Sequence, residues 1–178
     1  VTVAEVMAEI EKDIVFFDES GGGVTFSGGE ALMQPDFLAA LLQACRQKGI
    51  RTALDTSGFA PWPVLESVLP FVDLFLYDIK AVDDTIHQQF TGVSNRLIVE
   101  NLARLSALGK RIVVRVPLIP GVNDSDEAVA ALGRLASGLP HLEGVELLAY
   151  HEGGVEKYRR LGREYQLVDL QPLSGERM

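Results

Sequence analysis

An α/β fold built on a parallel sheet is what the sequence predicts, on three observations. Short β-rich runs alternate with segments of helical period, polar residues stand at the C-terminal end of each run, and glycine, proline or capping residues punctuate the joins. The runs are Gly23 to Phe26, Arg51 to Asp55, Leu74 to Ile79, Arg111 to Ile119 and Val145 to Tyr150, giving five βα-type units. Such alternation implies right-handed crossovers. It fits an open doubly wound sheet and a barrel segment equally well.

Taken in chain order, Val1 to Asp18 reads as a helix with Val6, Ile10 and Ile14 inward, leading into the first strand. After that strand, Pro35 marks a helix start, Phe37, Leu38, Leu41, Leu42 and Cys45 form its apolar stripe, and Gly49 stops it. A further helix carries Ile98, Leu102, Leu105 and Leu108 and ends at Gly109. The last opens with Asp124 and Glu127 at capping-box spacing, turns Val129, Leu132 and Leu135 to one face, and closes near Gly138. A parallel sheet that begins on a helix implies a strand upstream of Val1, and Leu167 to Met178 has no closing helix. Residues 1–178 are therefore expected to be one incomplete domain, cut at both ends.

At 178 residues and 47% hydrophobic content, the chain can bury one sizeable core. Its net charge of −9, without a cluster of basic residues on any expected helix, argues against a nucleic-acid or anionic-membrane partner. No apolar run approaches the roughly 18 residues of a membrane span, and no signal-peptide pattern opens the chain, so a cytoplasmic protein is expected. The single cysteine, Cys45, rules out an internal disulfide and any site built from several thiolates of this chain. On its apolar stripe it reads as a packing residue.

The residues with chemical potential cluster at strand ends, where α/β folds place ligands. Ser27-Gly28-Gly29-Glu30 follows the first strand: bare backbone allows close approach, and the carboxylate can accept from an ammonium group. Dinucleotide and P-loop spacings are both missing. Asp55-Thr56-Ser57-Gly58 follows the second strand, where Asp55 alone reads as a cap for the next helix. In Tyr77-Asp78-Ile79-Lys80, Asp78 and Lys80 lie two apart and face one way, so they can pair or jointly hold a zwitterion. Arg115, inside an apolar strand, needs a partner or a ligand. Asn123 and His151 end the last two strands, whereas His87 and His141 read as structural or exposed.

In this order, TFSGGE (Thr25 to Glu30), LDTSG (Leu54 to Gly58), YDIK (Tyr77 to Lys80), RVPLIPGVND (Arg115 to Asp124) and YHEGG (Tyr150 to Gly154) resemble the pyruvate formate-lyase activating enzymes, glycyl-radical-enzyme activators of the radical S-adenosylmethionine superfamily. Lesser pieces agree: Gly22-Gly23, HQQFTGVSN from His87 to Asn95, and KY..LG..Y from Lys157 to Tyr165. The resemblance implies a partial (β/α)6 TIM-like barrel truncated at its N-terminal first βα unit. It also implies S-adenosylmethionine on a 4Fe-4S cluster, whose reductive cleavage yields a radical that takes a hydrogen atom from a glycine of the partner enzyme. The implied electron donor is a flavodoxin or ferredoxin.

Carried across by residue, Gly28, Gly29 and Glu30 hold the methionyl ammonium, and Lys80 and Arg115 face the methionyl carboxylate or the ribose. Ile79 joins the cofactor site, and His151 bonds the nucleoside. Asp55, Thr56, Leu76 through its carbonyl, and Asp78 match positions around a monovalent cation. The family's CxxxCxxC loop has no counterpart, so the cluster ligands are expected upstream of Val1. Three other readings remain open: another radical S-adenosylmethionine enzyme such as a ribonucleotide reductase activase, a non-catalytic α/β binding module, and an aldolase-like barrel using Lys80 as a Schiff-base amine.

Overall fold

The structure, a computed structural model, describes residues 1–150 and Gly162. His151 and the rest of the run it opens lie outside the described residues, as does the pattern from Lys157 to Tyr165 apart from Gly162. Strands β1 (Gly23–Phe26), β2 (Arg51–Thr56), β3 (Leu74–Asp78), β4 (Ile112–Leu118) and β5 (Leu142–Ala149) form one parallel sheet in sequence order. The expected α/β alternation is therefore present.

Helices α1 (Val3–Ile10), α2 (Ile14–Ser20), α3 (Pro35–Gln47), α4 (Trp62–Val68), α5 (Asp84–Thr91), α6 (Arg96–Ala107) and α7 (Asp126–Ser137) complete the elements that matter below. Burial alternates along the inner strands: Leu54, Phe75, Tyr77, Ile112 and Val114 are buried, whereas Asp55, Leu76, Asp78 and Arg115 between them are only partly so. Against the buried face pack Leu38, Leu41 and Leu42 of α3, Leu65 and Val68 of α4, and Ile98, Leu102 and Leu105 of α6. Each such side chain contributes about 1.5–3 kcal/mol by burial. The opposite face, left half-open, carries the charged residues.

Four expectations need correcting. The segment Val1 to Asp18 is two helices, broken by a 3₁₀ turn at Glu11–Asp13; Val6, Ile10 and Ile14 pack against the core as expected, and Met7 is buried as well. Thr2 and Glu5 form the capping box of α1. The cap of α7 is Ser125, whose Oγ accepts from the Ala128 N–H at 3.2 Å, while Asp124 instead accepts from the Gly121 N–H at 2.8 Å. Leu108 is 57% exposed, because α6 ends at Ala107. Strand β5 starts at Leu142, not Val145: pairing with β4 through a bulge recruits residues that no apolar alternation marks, on the outermost strand among the described residues.

Two short helices, α4 and α5, are not legible in periodicity. The first is seven residues long, and the second is built from polar residues between the Asp83 cap and Gly92. Cys45 is fully buried against Met7, with 3.8 Å between the sulfurs, as a packing residue should be. His87 is buried too, its Nδ1 bonded to the Val93 carbonyl at 2.8 Å.

Candidate functional site

Where β1 ends, Gly28 takes φ +142°, a conformation side chains rarely adopt, and a Cβ at Gly28 or Gly29 would meet nothing within 4 Å. The backbone there is open to an incoming group. Glu30 follows with its carboxylate already held by four donors. Oε1 accepts from Thr56 Oγ1 at 2.7 Å and from the Leu32 N–H at 3.1 Å, and Oε2 accepts from the Ser57 N–H at 2.9 Å and Ser57 Oγ at 2.7 Å. Glu30 is thus a staple between the β1 and β2 edges, and a ligand ammonium would share or displace one of these donors.

Beside it lies a four-charge cluster on the half-open face. The register sets Asp55 opposite Leu76, and Asp78 opposite Arg115. Arg115 spans two strands, with Nη2 3.3 Å from Asp55 and Nε 3.3 Å from Asp78. Lys80 Nζ meets Asp78 at 2.9 Å, and Ser27 Oγ donates to Asp55 at 3.0 Å. Two carboxylates and two cations balance, which answers the need of the strand-embedded guanidinium for partners. Asp55 is no helix cap: α4 begins at Trp62 behind Pro61 and has no side-chain cap bond.

Other predicted residues fall differently. The Ile79 side chain is buried and lines a cavity of about 310 Å³ with Val116, Leu118 and Leu132, away from the charges. Its N–H donates to the Arg115 carbonyl at 2.9 Å. The parallel ladder would pair the Ile79 carbonyl with the N–H of residue 117, and Pro117 has none, so β4 leaves that carbonyl without a ladder partner. Of the four candidate cation positions, Asp55 and Asp78 lie against Arg115. Thr56 turns its hydroxyl away, to Glu30 and to the Gly58 N–H at 2.9 Å. Asn123 is fully engaged, donating to the Lys80 and Pro117 carbonyls and accepting from the Ile119 N–H. That pins the turn after β4 to the end of β3. His151 lies outside the described residues.

Sequence reasoning missed the support behind the site. Tyr77 is buried and donates to the Ile98 carbonyl at 2.7 Å; burial first, and the Glu30 charge second, push its phenol well above its ordinary pKa. Asn101 of α6 reaches the loop after β2. An asparagine three residues after Ile98, inside the apolar stripe of α6, was the available signal.

Residues 1–133 match the Radical SAM superfamily. The choline trimethylamine-lyase activating enzyme of Oleidesulfovibrio alaskensis is 44% identical over 97% of this chain and 57% of its own length. The pyruvate formate-lyase-activating enzyme of Clostridium pasteurianum is 38% identical, over 99% and 74% respectively. In three dimensions, a domain of a pyruvate-formate lyase-activating enzyme from Bacteroides vulgatus superposes with a TM-score of 0.73 and 35% identity, covering 88% of each chain.

Proposed function

The chain belongs to the radical SAM superfamily and, within it, to the glycyl-radical-enzyme activating enzymes, and from that premise we propose that it forms the S-adenosylmethionine-binding part of such an activator. The activity is the reductive cleavage of S-adenosylmethionine at a 4Fe-4S cluster, which places a glycyl radical on a partner enzyme such as pyruvate formate-lyase. The chain spans 57% of one curated relative and 74% of another. Electrons come from a flavodoxin or ferredoxin in the cytoplasm. No described helix is long and apolar enough to cross a membrane.

The cluster does not fit this chain. Its one thiol, Cys45, is buried beside Met7, and burial raises the thiol pKa, the reverse of what a thiolate ligand needs. S-adenosylmethionine does fit. Bound, it supplies the sulfonium whose cleavage starts the radical chemistry.

Gly28 and Gly29 admit the methionyl end, Glu30 takes its ammonium, and Lys80 and Arg115 take its carboxylate or the ribose side. The Ile79 carbonyl, which β4 leaves without a ladder partner, faces the nucleoside, to which His151 also bonds. Asp55, Thr56, Leu76 and Asp78 gather a monovalent cation, for which Arg115 must give way. One observation carries the reading: a carboxylate oriented by four donors stands at an open diglycine backbone, beside a balanced cluster of partly buried charges.

Amide-shift mapping with S-adenosylmethionine tests it, first on the chain and then on an Arg115→Met variant. Shifts centred on Gly28 to Glu30, Ser57, Ile79 and Lys80, weakened in the variant, are expected. Shifts confined to other edges of the sheet would sink the assignment.

A further inference from the structure

We infer that Asn101, on the helix layer and remote from the charged cluster, is a positioning residue that sets the Glu30 carboxylate for its ligand by holding the loop after β2. The inference rests on the proposed role of Glu30 in taking the ammonium of S-adenosylmethionine.

Asn101 is 1% exposed, and its Nδ2 donates twice, to the carbonyls of Gly58 and Ala60, each at 2.9 Å. Its Oδ1 is buried with no hydrogen-bond partner among the described residues. Turning the amide over would set that oxygen against two carbonyl oxygens, so the two acceptors fix its orientation. An orphaned buried acceptor is unfavourable, and an apolar side chain beside Ile98, Leu102 and Leu105 would avoid it. What the asparagine provides in return is the grip on the loop.

That loop also rests on Tyr77. Gly58, at φ +68°, lies directly on the Tyr77 hydroxyl, where any Cβ would collide. Tyr77 is itself tied to Ile98, one turn before Asn101 on α6. Immediately before Gly58, Thr56 and Ser57 supply three of the four donors to Glu30. The path therefore runs from α6 through two loop carbonyls to the Ser57 N–H and the Glu30 carboxylate, across residues 30, 57 and 101, which no local pattern connects.

The test is Asn101→Leu, which keeps the branching at Cγ but is larger and has no donors, read three ways. In the unliganded chain, amide exchange at Ser57 should quicken about tenfold or more, as expected from two lost buried hydrogen bonds, while amides of β4 stay unchanged. S-adenosylmethionine affinity by calorimetry should fall about tenfold. In a Glu30→Ala background the same substitution should cost no further affinity, a coupling that a merely structural residue would not show. Unchanged Ser57 exchange, or quickened exchange with full affinity, overturns the inference, as does an additive loss in the Glu30→Ala background. If Asn101→Leu does not fold, Asn101→Ala carries the same measurements. Failure of the unaltered chain to bind S-adenosylmethionine counts against the ligand reading alone, because Ser57 exchange still decides whether Asn101 holds Glu30 in place.

Discussion

Replacing Glu30 by glutamine should destabilise the unliganded chain by about 2 kcal/mol. The carboxylate accepts four hydrogen bonds, two on each oxygen. An amide keeps one oxygen and puts an NH2 group where the other stood. With the NH2 at the Oε1 position, Thr56 Oγ1 can turn to accept but the Leu32 N–H loses its acceptor; at the Oε2 position the Ser57 N–H does. Either way one backbone donor is orphaned in a partly buried site, and the remaining bonds lose their charge assistance. A hydrogen bond to a charged group contributes about 1.5–3 kcal/mol, and partial exposure favours the lower half of that range. For a domain of this size such a loss corresponds to about 4–8 °C in melting temperature. Urea denaturation at neutral pH, with linear extrapolation, measures it. A change below about 0.5 kcal/mol, the usual limit for unremarkable surface substitutions, would refute the view that Glu30 is held rigidly before any ligand arrives.

Gly58→Ala should be far worse than Gly49→Ala: both have positive φ and carry the roughly 1–2 kcal/mol of a left-handed residue, but only at Gly58 does the new Cβ run into the Tyr77 hydroxyl, so comparable melting curves would disprove the close contact. Asp84 is held below the ordinary carboxylate pKa first by the Ser94 hydroxyl and then by the Asn95 N–H. A depressed folded pKa stabilises above the unfolded value of about 3.9 and ceases to as pH falls through the folded one, so Asn95 amide protection should drop on acidification, and Asp84→Asn should abolish that pH dependence. Cys45 should resist thiol reagents until the chain unfolds, and iron–sulfur reconstitution of the chain alone should yield no stoichiometric cluster; rapid labelling of the native chain would contradict its burial.

How far the sequence was legible follows the range of the forces involved. β1 to β4 were placed within about a residue, because strand period, apolar content and punctuation are local. The diglycine and Glu30, Asp55, Asp78, Lys80 and Arg115 were legible as strand-end residues for the same reason, and the ordered motifs pointed to the family that the comparisons bear out. β5 and the helices α4 and α5 were mistaken or missed where burial is slight, the helix short or the helix mainly polar, since such elements are held by neighbours more than by a pattern of their own.

By itself, then, the sequence determined the fold class, the edge of the sheet where the charged and polar residues gather, and the residue types found there. Tertiary structure alone decided who meets whom: Asp55 with Arg115 instead of a helix end, Glu30 with Thr56 and Ser57, Asn101 with the carbonyls of Gly58 and Ala60. These partners are 26 to 60 positions apart. Their meeting depends on strand order and register, and a slip of one residue would carry Asp55 or Arg115 to the buried face, away from its partner.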